Sequence, residues 1–524
     1  MTATPSRPSH AEIATVDRRS RAEMATLGAI LLVAFAALAR SAGSPWLFDV
    51  GDWNGALWSV FARNFLRYGY APLKLGQAYF AGPLPADVTY YTHHNVFITV
   101  ILTELYRLFG VHEAVARLAA SALTVLTAAM TYVLAREQFD SRTALFATLT
   151  IALAPLTLVY GRMYNHEVFA LFWVVTSTWA YLRWTKTRTP RDLARLGVCV
   201  FLAALTAWPG YYLVVLLPLH HRFAFPQSRD GRTLTRMLIG IALAAFGIYV
   251  AHGYWLKGST LFVELKNSCE RGWFYDRVDW GDTFTTRDFI RTELQRSVTW
   301  FTAPVVVLAA VGVGCAVGQM ILQRRVDAAH GAILMLLLFG ASHLALFKQE
   351  TMGHEYYLYY LLPGVALAAG LAMKEMSAAR VAVPWRVGTL STIIVAFVVA
   401  SVETALPVDR ARTPDREFYR ELGLWMKDNT AFTDHVLLNF HVEGPFLMYY
   451  ADRDVVESVS SLTRVRAERR PNTVLVMRPG LTPHLERAIL RRYGATTVTS
   501  DGELVSIARV SPRRDDRNVS VNAR

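Results

Sequence analysis

The chain has 524 residues, 53% hydrophobic and only 18% charged, with a mean hydropathy of +0.26, which sets it among polytopic membrane proteins rather than soluble globular ones. Its formal charge of +13 would suit a nucleic-acid partner, but membrane proteins place basic residues first in cytoplasmic connectors, and no Lys/Arg run interleaved with stacking aromatics occurs, so nucleic acid is set aside. The cysteines Cys199, Cys269 and Cys315 are too dispersed for a disulfide framework or a CxxC metal site.

Arg18, Arg19 and Arg21 precede an apolar run at 24–41. Because further spans follow, it reads as an uncleaved first helix and not a signal sequence. Runs long enough to cross roughly 30 Å of hydrocarbon recur near 115–135, 143–160, 167–184, 193–208, 235–251, 298–319, 331–347, 356–373 and 387–403. A shorter run, 210–220, follows the break Trp208-Pro209-Gly210 and returns the chain. Basic connectors carry Arg183, Lys186, Arg188, Arg191 and Arg195; Arg222, Arg229, Arg232 and Arg236; Arg324 and Arg325; and Lys374, Arg380 and Arg386. All are expected on the cytoplasmic side. Counting back from them, 160–166 is external, 136–143 internal and 110–115 external. With an internal N-terminus, parity leaves no room for 96–110 as a full span; it is short, contains Glu104 and Arg107, and reads as a helix in the outer interface.

The expected architecture is therefore an α-helical polytopic protein of the inner (plasma) membrane with about eleven transmembrane helices, its N-terminus cytoplasmic. Residues 1–23 form the N-terminal tail and 24–403 the transmembrane body, with external loops at 42–110 and 252–297. The latter, with Trp255, Trp273, Phe274, Tyr275 and Trp280, could cap a site or anchor at the interface. From 404 the pattern changes. REFYRELGLWMKDN has helical periodicity; HVLLNF, TVLVMRP and ELVSIARV read as strands, and LTPHLERAILRRYG as a helix. That gives a small extracytoplasmic α/β domain over 404–510 and a disordered tail over 511–524.

Chemistry-bearing residues gather at the external ends of spans. Asp49 and Asp52 precede a segment whose Leu57, Phe61 and Phe65 form one apolar stripe, the mark of an amphipathic helix on the membrane surface. Each acid is either a helix cap or a catalyst. His93 and His94 close that loop; adjacent histidines suit one metal ion poorly. In YGRMYNHEVFALFW, Glu167 opens a span beside Arg162 and His166, and a first-turn glutamate also answers the helix dipole. KQETMGHEYYLYYLLPG offers Lys348, His354, Tyr356 and Tyr357, where interfacial aromatics are expected anyway. Parity puts all of these on one side at similar depth, where an anionic lipid headgroup would meet acids and cations together. A transporter or lipid flippase would instead concentrate ionisable groups at the midplane and show inverted repeats; a non-catalytic envelope scaffold would not need the acids.

The ordered set of a loop Asp, ARNFLRYG, YYTHHN, a GR…E turn and HEYYLYYLLPG resembles the GT-C glycosyltransferases, in the protein mannosyltransferase branch (glycosyltransferase family 39-like) that includes the bacterial aminoarabinose transferases of lipid A. The resemblance spans roughly 24–375. Relatives often follow the histidine with prolines, whereas here Asn95 and Val96 stand there, a departure that bears on substrate preference near the loop. The resemblance implies the GT-C fold and inverting transfer of a sugar from a polyprenyl-phosphate donor to a protein, lipid or envelope-glycan acceptor on the outer face. Asp52, which fits the family spacing better than Asp49, would be general base. Arg162, Lys348 or His354 would stabilise the departing lipid phosphate, and Glu167 would orient the acceptor or, with histidine, help hold Mg²⁺ or Mn²⁺. Members of the fold differ in metal use, and the metal stays unassigned.

Overall fold

The computed structural model describes residues 10–46, 50–274, 283–379, 382–410, 418–438, 444–456, 473–477, 495–500 and 506–510. In chain order the helices are α1 (His10–Ala39), α2 (Val50–Tyr68), α3 (Phe97–Phe109), α4 (Glu113–Gln138), α5 (Ser141–Leu153), α6 (Pro155–Tyr160), α7 (His166–Thr187), α8 (Pro190–Thr206), α9 (Leu213–Ala224) and α10 (Gly231–Lys257). They continue with α11 (Thr260–Phe274), α12 (Thr286–Phe301), α13 (Ala303–Gln323), α14 (Ala328–Leu346), α15 (Lys348–Gly353), α16 (Leu362–Ala378), α17 (Val383–Arg410), α18 (Phe418–Asn429) and α19 (Gly444–Ala451). Short 3₁₀ turns at Trp208–Tyr212 and Glu355–Leu361 lead into α9 and α16. The strands are β1 (Gln77–Ala78), β2 (Tyr90–Tyr91), β3 (His435–Leu438), β4 (Asp454–Val456), β5 (Thr473–Met477), β6 (Ala495–Ser500) and β7 (Ser506–Val510).

Two compact units emerge: one of residues 1–42, 93–98 and 116–411, the other of 43–92, 99–115 and 412–524. In the first, among the described residues, seven helical segments are long and apolar enough to cross a bilayer: Ser20–Ala39, Glu113–Gln138, Gly231–Lys257, Ala303–Gln323, Ala328–Leu346, Glu355–Ala378 and Val383–Val408. The chain is thus a multi-pass membrane protein. The run at 143–160 is not one helix, because Pro155 lacks the N–H that would continue α5 and instead opens α6. α16 packs against α5, α13 and α14. Small residues permit this: a Cβ at Gly312 would fall 1.9 Å from the Ala368 carbonyl oxygen, and one at Gly370 2.7 Å from that of Thr143. The segment 252–297 is mostly helical, not a loop: α10 runs on to Lys257, α11 follows, and a Thr285–Asp288 capping box starts α12. Tyr275 and Trp280 lie outside the described residues.

The second unit is built around α2. Leu57, Phe61 and Phe65 are at most 1% exposed, but so are Ala56, Trp58, Val60, Ala62 and Asn64 on its other sides. Protein therefore covers α2 nearly all round, where the apolar stripe predicted a helix with one polar face free. The difference comes from partners outside the helix, some near and some distant in sequence. Arg63 donates to the Tyr449 and Met448 carbonyls (2.8 and 2.6 Å) at the C-terminal turn of α19, where a cation meets the negative end of the helix dipole. Arg67 grips Asp452 through both carboxylate oxygens. Asn64 donates to Ala78 and Phe80, beside the antiparallel β1–β2 pair. The tail supplies a five-stranded sheet of order β4-β3-β5-β7-β6, parallel through β4, β3 and β5 and antiparallel at β7 and β6. Leu422, Met426, Val436, Leu447 and Ala451 form its described apolar core. HVLLNF, TVLVMRP and ELVSIARV each yield a strand; the expected helix at 481–494 and the tail 511–524 lie outside the described residues. α3, with 13 residues, is roughly 20 Å long, short of the ~30 Å of a bilayer core.

Candidate functional site

In the first unit the site starts at the break after α8. Pro209 cannot continue that helix, and the chain doubles back at Gly210, where a Cβ would lie 2.3 Å from the Ala203 carbonyl carbon. The Thr206 carbonyl, freed at the helix end, accepts a 2.8 Å hydrogen bond from His166 Nδ1. That bond puts the proton of the neutral ring on Nδ1. The ring of His94 stacks on that of His166, centroids 3.9 Å apart and planes at 28°. Burial, reinforced by His166, His93 and His343, holds His94 well below the usual imidazole range. Trp208 fixes the approach of this loop by donating its indole N–H to the His93 carbonyl at 3.0 Å. A small cavity of about 10 Å³, room for about one water, lies between His94, Thr206, Trp208 and Tyr249.

Glu167 follows directly, in the first turn of α7 and only 6% exposed. Its Oε2 has no hydrogen-bond partner among the described residues. A carboxylate serving only the helix dipole would sit in water; a buried oxygen left open carries a cost that function can explain. Arg162, 3% exposed, donates to Ser41 Oγ. The neighbouring Tyr164 hydroxyl donates to the Ile98 carbonyl at 2.7 Å.

The 3₁₀ turn Glu355–Leu361 joins this cluster. Tyr160, closing α6, donates to Glu355 Oε1 at 2.6 Å and packs on Tyr356, while His354 stacks on Tyr356 with centroids 5.2 Å apart. Tyr357 and Tyr360 flank the His343 ring at 4.8 and 4.5 Å. Lys348 opens α15 and is partly exposed.

His93, His94, Arg162, His166, Glu167, His354, Tyr356 and Tyr357 are therefore linked through one set of turns. Asp52 belongs to the second unit, in the first turn of α2 and 4% exposed; Asp49 lies outside the described residues. Sequence reasoning missed His343, 5% exposed within an apolar helix, whose Nδ1 lies 3.2 Å from the Tyr212 hydroxyl and whose Nε2 has no partner among the described residues. A histidine inside an otherwise apolar run was the available signal. Among the described residues no three His, Cys, Asp or Glu side chains converge as a metal site.

Comparison with known folds gives the class. ArnT from Cupriavidus metallidurans in the apo state superimposes with a TM-score of 0.64 at 15% identity, covering 93% of this chain and 98% of that one. The same protein bound to undecaprenyl phosphate gives 0.60 at 14%, covering 91% and 97%. The archaeal oligosaccharyltransferase AglB from Archaeoglobus fulgidus, in complex with an inhibitory peptide and a dolichol-phosphate, gives 0.60 at 14%, covering 96% and 75%. The chain has the GT-C fold. Within it, residues 93–255 match the family described as dolichyl-phosphate-mannose-protein mannosyltransferase. No match was found among curated proteins.

Proposed function

We propose that the protein transfers a sugar from a polyprenyl-phosphate-linked donor to an acceptor hydroxyl or amine outside the cytoplasm. The observation that carries the reading is the buried Glu167 carboxylate, one oxygen open, beside the His94–His166 stack. It lies within a fold similar to proteins solved with undecaprenyl phosphate and dolichol-phosphate. These residues sit at helix ends or turns.

In the proposed reaction the acceptor oxygen attacks the anomeric carbon as the bond to the lipid phosphate breaks, the phosphate leaving with the electron pair. A single displacement inverts that carbon. A hydroxyl is a weak nucleophile, so its proton passes to Asp52 as general base. Charge growing on the phosphate is met by Arg162, Lys348 or His354. Glu167 accepts a hydrogen bond from the acceptor and aligns it. Envelope glycans and glycolipids compared by mass spectrometry with and without the gene should differ by one sugar on one acceptor class. Identical profiles from cells that make the protein would count against transfer.

A further inference from the structure

At another end of the first unit, the turn between α9 and α10 borders a cleft of about 770 Å³ lined by His221 and Arg222 of α9, Arg229 of the turn, and Arg232 and Arg236 of α10. Four guanidinium groups thus share one concavity. The only acid between 218 and 236 is Asp230, and Arg188 occupies it at 2.9 Å. Among the described residues, Arg222, Arg229, Arg232 and Arg236 have no carboxylate partner. Positive connectors are ordinary in membrane proteins, but a plain connector needs no cleft.

A second observation points to a ligand. His221 is only 2% exposed, lines the cleft, and its Nε2 has no hydrogen-bond partner among the described residues. Its ring edge faces the first residue of α10: a Cβ at Gly231 would lie 3.3 Å from Cδ2 and 4.0 Å from Nε2. The N-cap residue there, Asp230, makes no side-chain cap, so first-turn N–H groups of α10 add donors. Unpaired cations, a helix N-terminus and a buried imidazole nitrogen together match a phosphate group. Beside them, Val215, Leu219 and Phe223 follow one face of α9 at 66%, 43% and 57% exposure. They continue the site into an apolar track of the kind an acyl chain covers.

We propose that this cleft binds the phosphate headgroup of an anionic phospholipid from the adjoining leaflet, with its acyl chains along the exposed face of α9. The shared chemistry would also admit free phosphate. The acyl track selects the lipid, and clusters of this kind between membrane helices recognise anionic headgroups.

The test titrates the purified full chain in detergent with phosphatidylglycerol or phosphatidylcholine and reads retained lipid by native mass spectrometry. Wild type should retain phosphatidylglycerol and not phosphatidylcholine, and inorganic phosphate at ten-millimolar level should not displace it. The double variant Arg232→Gln/Arg236→Gln should bind roughly tenfold or more weakly, and His221→Phe, which leaves the charges in place, should also weaken retention. Arg324→Gln/Arg325→Gln, in a basic connector elsewhere, should behave as wild type. Equal retention by the cleft variants, equal loss in the control pair, or displacement by inorganic phosphate would overturn the proposal. Should the cleft variants fail to elute as single species, wild-type retention must still fall as NaCl rises; salt-independent retention also overturns it.

Discussion

His94 lies face to face with His166 at 3.9 Å, and His166 spends its Nδ1 proton on the Thr206 carbonyl. Two imidazolium ions cannot share that spacing, so the stack requires at least one neutral ring.

The consequence is a pH dependence of stability. Burial holds the folded-state pKa of His94 below its ordinary value, so as pH falls below roughly 6.5 the unfolded chain takes up a proton that the folded chain refuses. The contribution is present above that pH and is lost as pH drops, at up to ~1.4 kcal/mol per unit. Thermal unfolding in detergent should show Tm falling from pH 7 to pH 5, and His94→Phe, which keeps the stack, should flatten that slope. An unchanged slope in the variant would show that His94 does not titrate this way.

Close packing of α13 on α16 depends on Gly312, where a Cβ would meet Ala368 O at 1.9 Å. Gly312→Val should destabilise by ~2–3 kcal/mol or prevent a single elution peak. Gly314→Val is the control, since nothing lies within 4 Å of a Cβ there. Equal yield and Tm for both would contradict the packing described.

Arg63 serves the second unit by closing the carbonyl end of α19. Replacing it with Met leaves two buried carbonyls without their donor, at ~2–3 kcal/mol. Arg67→Met leaves Asp452 its second cation, Arg63 at 3.1 Å, and should cost only ~1 kcal/mol. The order of the two effects on protease resistance of the tail is the measurement; a reversed order would place the restraint at the Arg67–Asp452 pair rather than at the α19 carbonyls.

The proposed topology has the end of α3 outside the cytoplasm. Leu108, 74% exposed, should when changed to Cys react with an impermeant maleimide added to intact cells, after native cysteines are removed. Labelling only after membranes are opened would invert the topology.

Much of this was legible in the sequence because the relevant signals are local. The apolar runs, the Pro209-Gly210 break, the Glu167 turn and the HEYYLYYLLPG segment each declare themselves within a dozen residues. What escaped depends on distant partners. The stripe Leu57–Phe61–Phe65 is real, yet the remaining sides of α2 are covered by segments beyond the helix, from Ala78, Phe80 and Tyr106 to the far Tyr449 and Met448 carbonyls that hold Arg63. His343 hid inside an apolar helix because only the folded chain brings Tyr212, Tyr357 and Tyr360 around it. The aromatic composition of 252–297 concealed its helices, which a Thr285–Asp288 capping box could have revealed.

The proposed chemistry is tested most directly by incubating reconstituted protein with a mixture of polyprenyl-phosphate sugars and measuring release of free polyprenyl phosphate. Wild type should release it only when acceptor is supplied. Asp52→Asn and Glu167→Gln should each lower the rate by about a hundredfold or more with Tm unchanged, or raised for Glu167→Gln because a neutral amide is easier to bury. Well-folded Asp52→Asn and Glu167→Gln proteins that transfer sugar at the wild-type rate would contradict the assignment of both carboxylates.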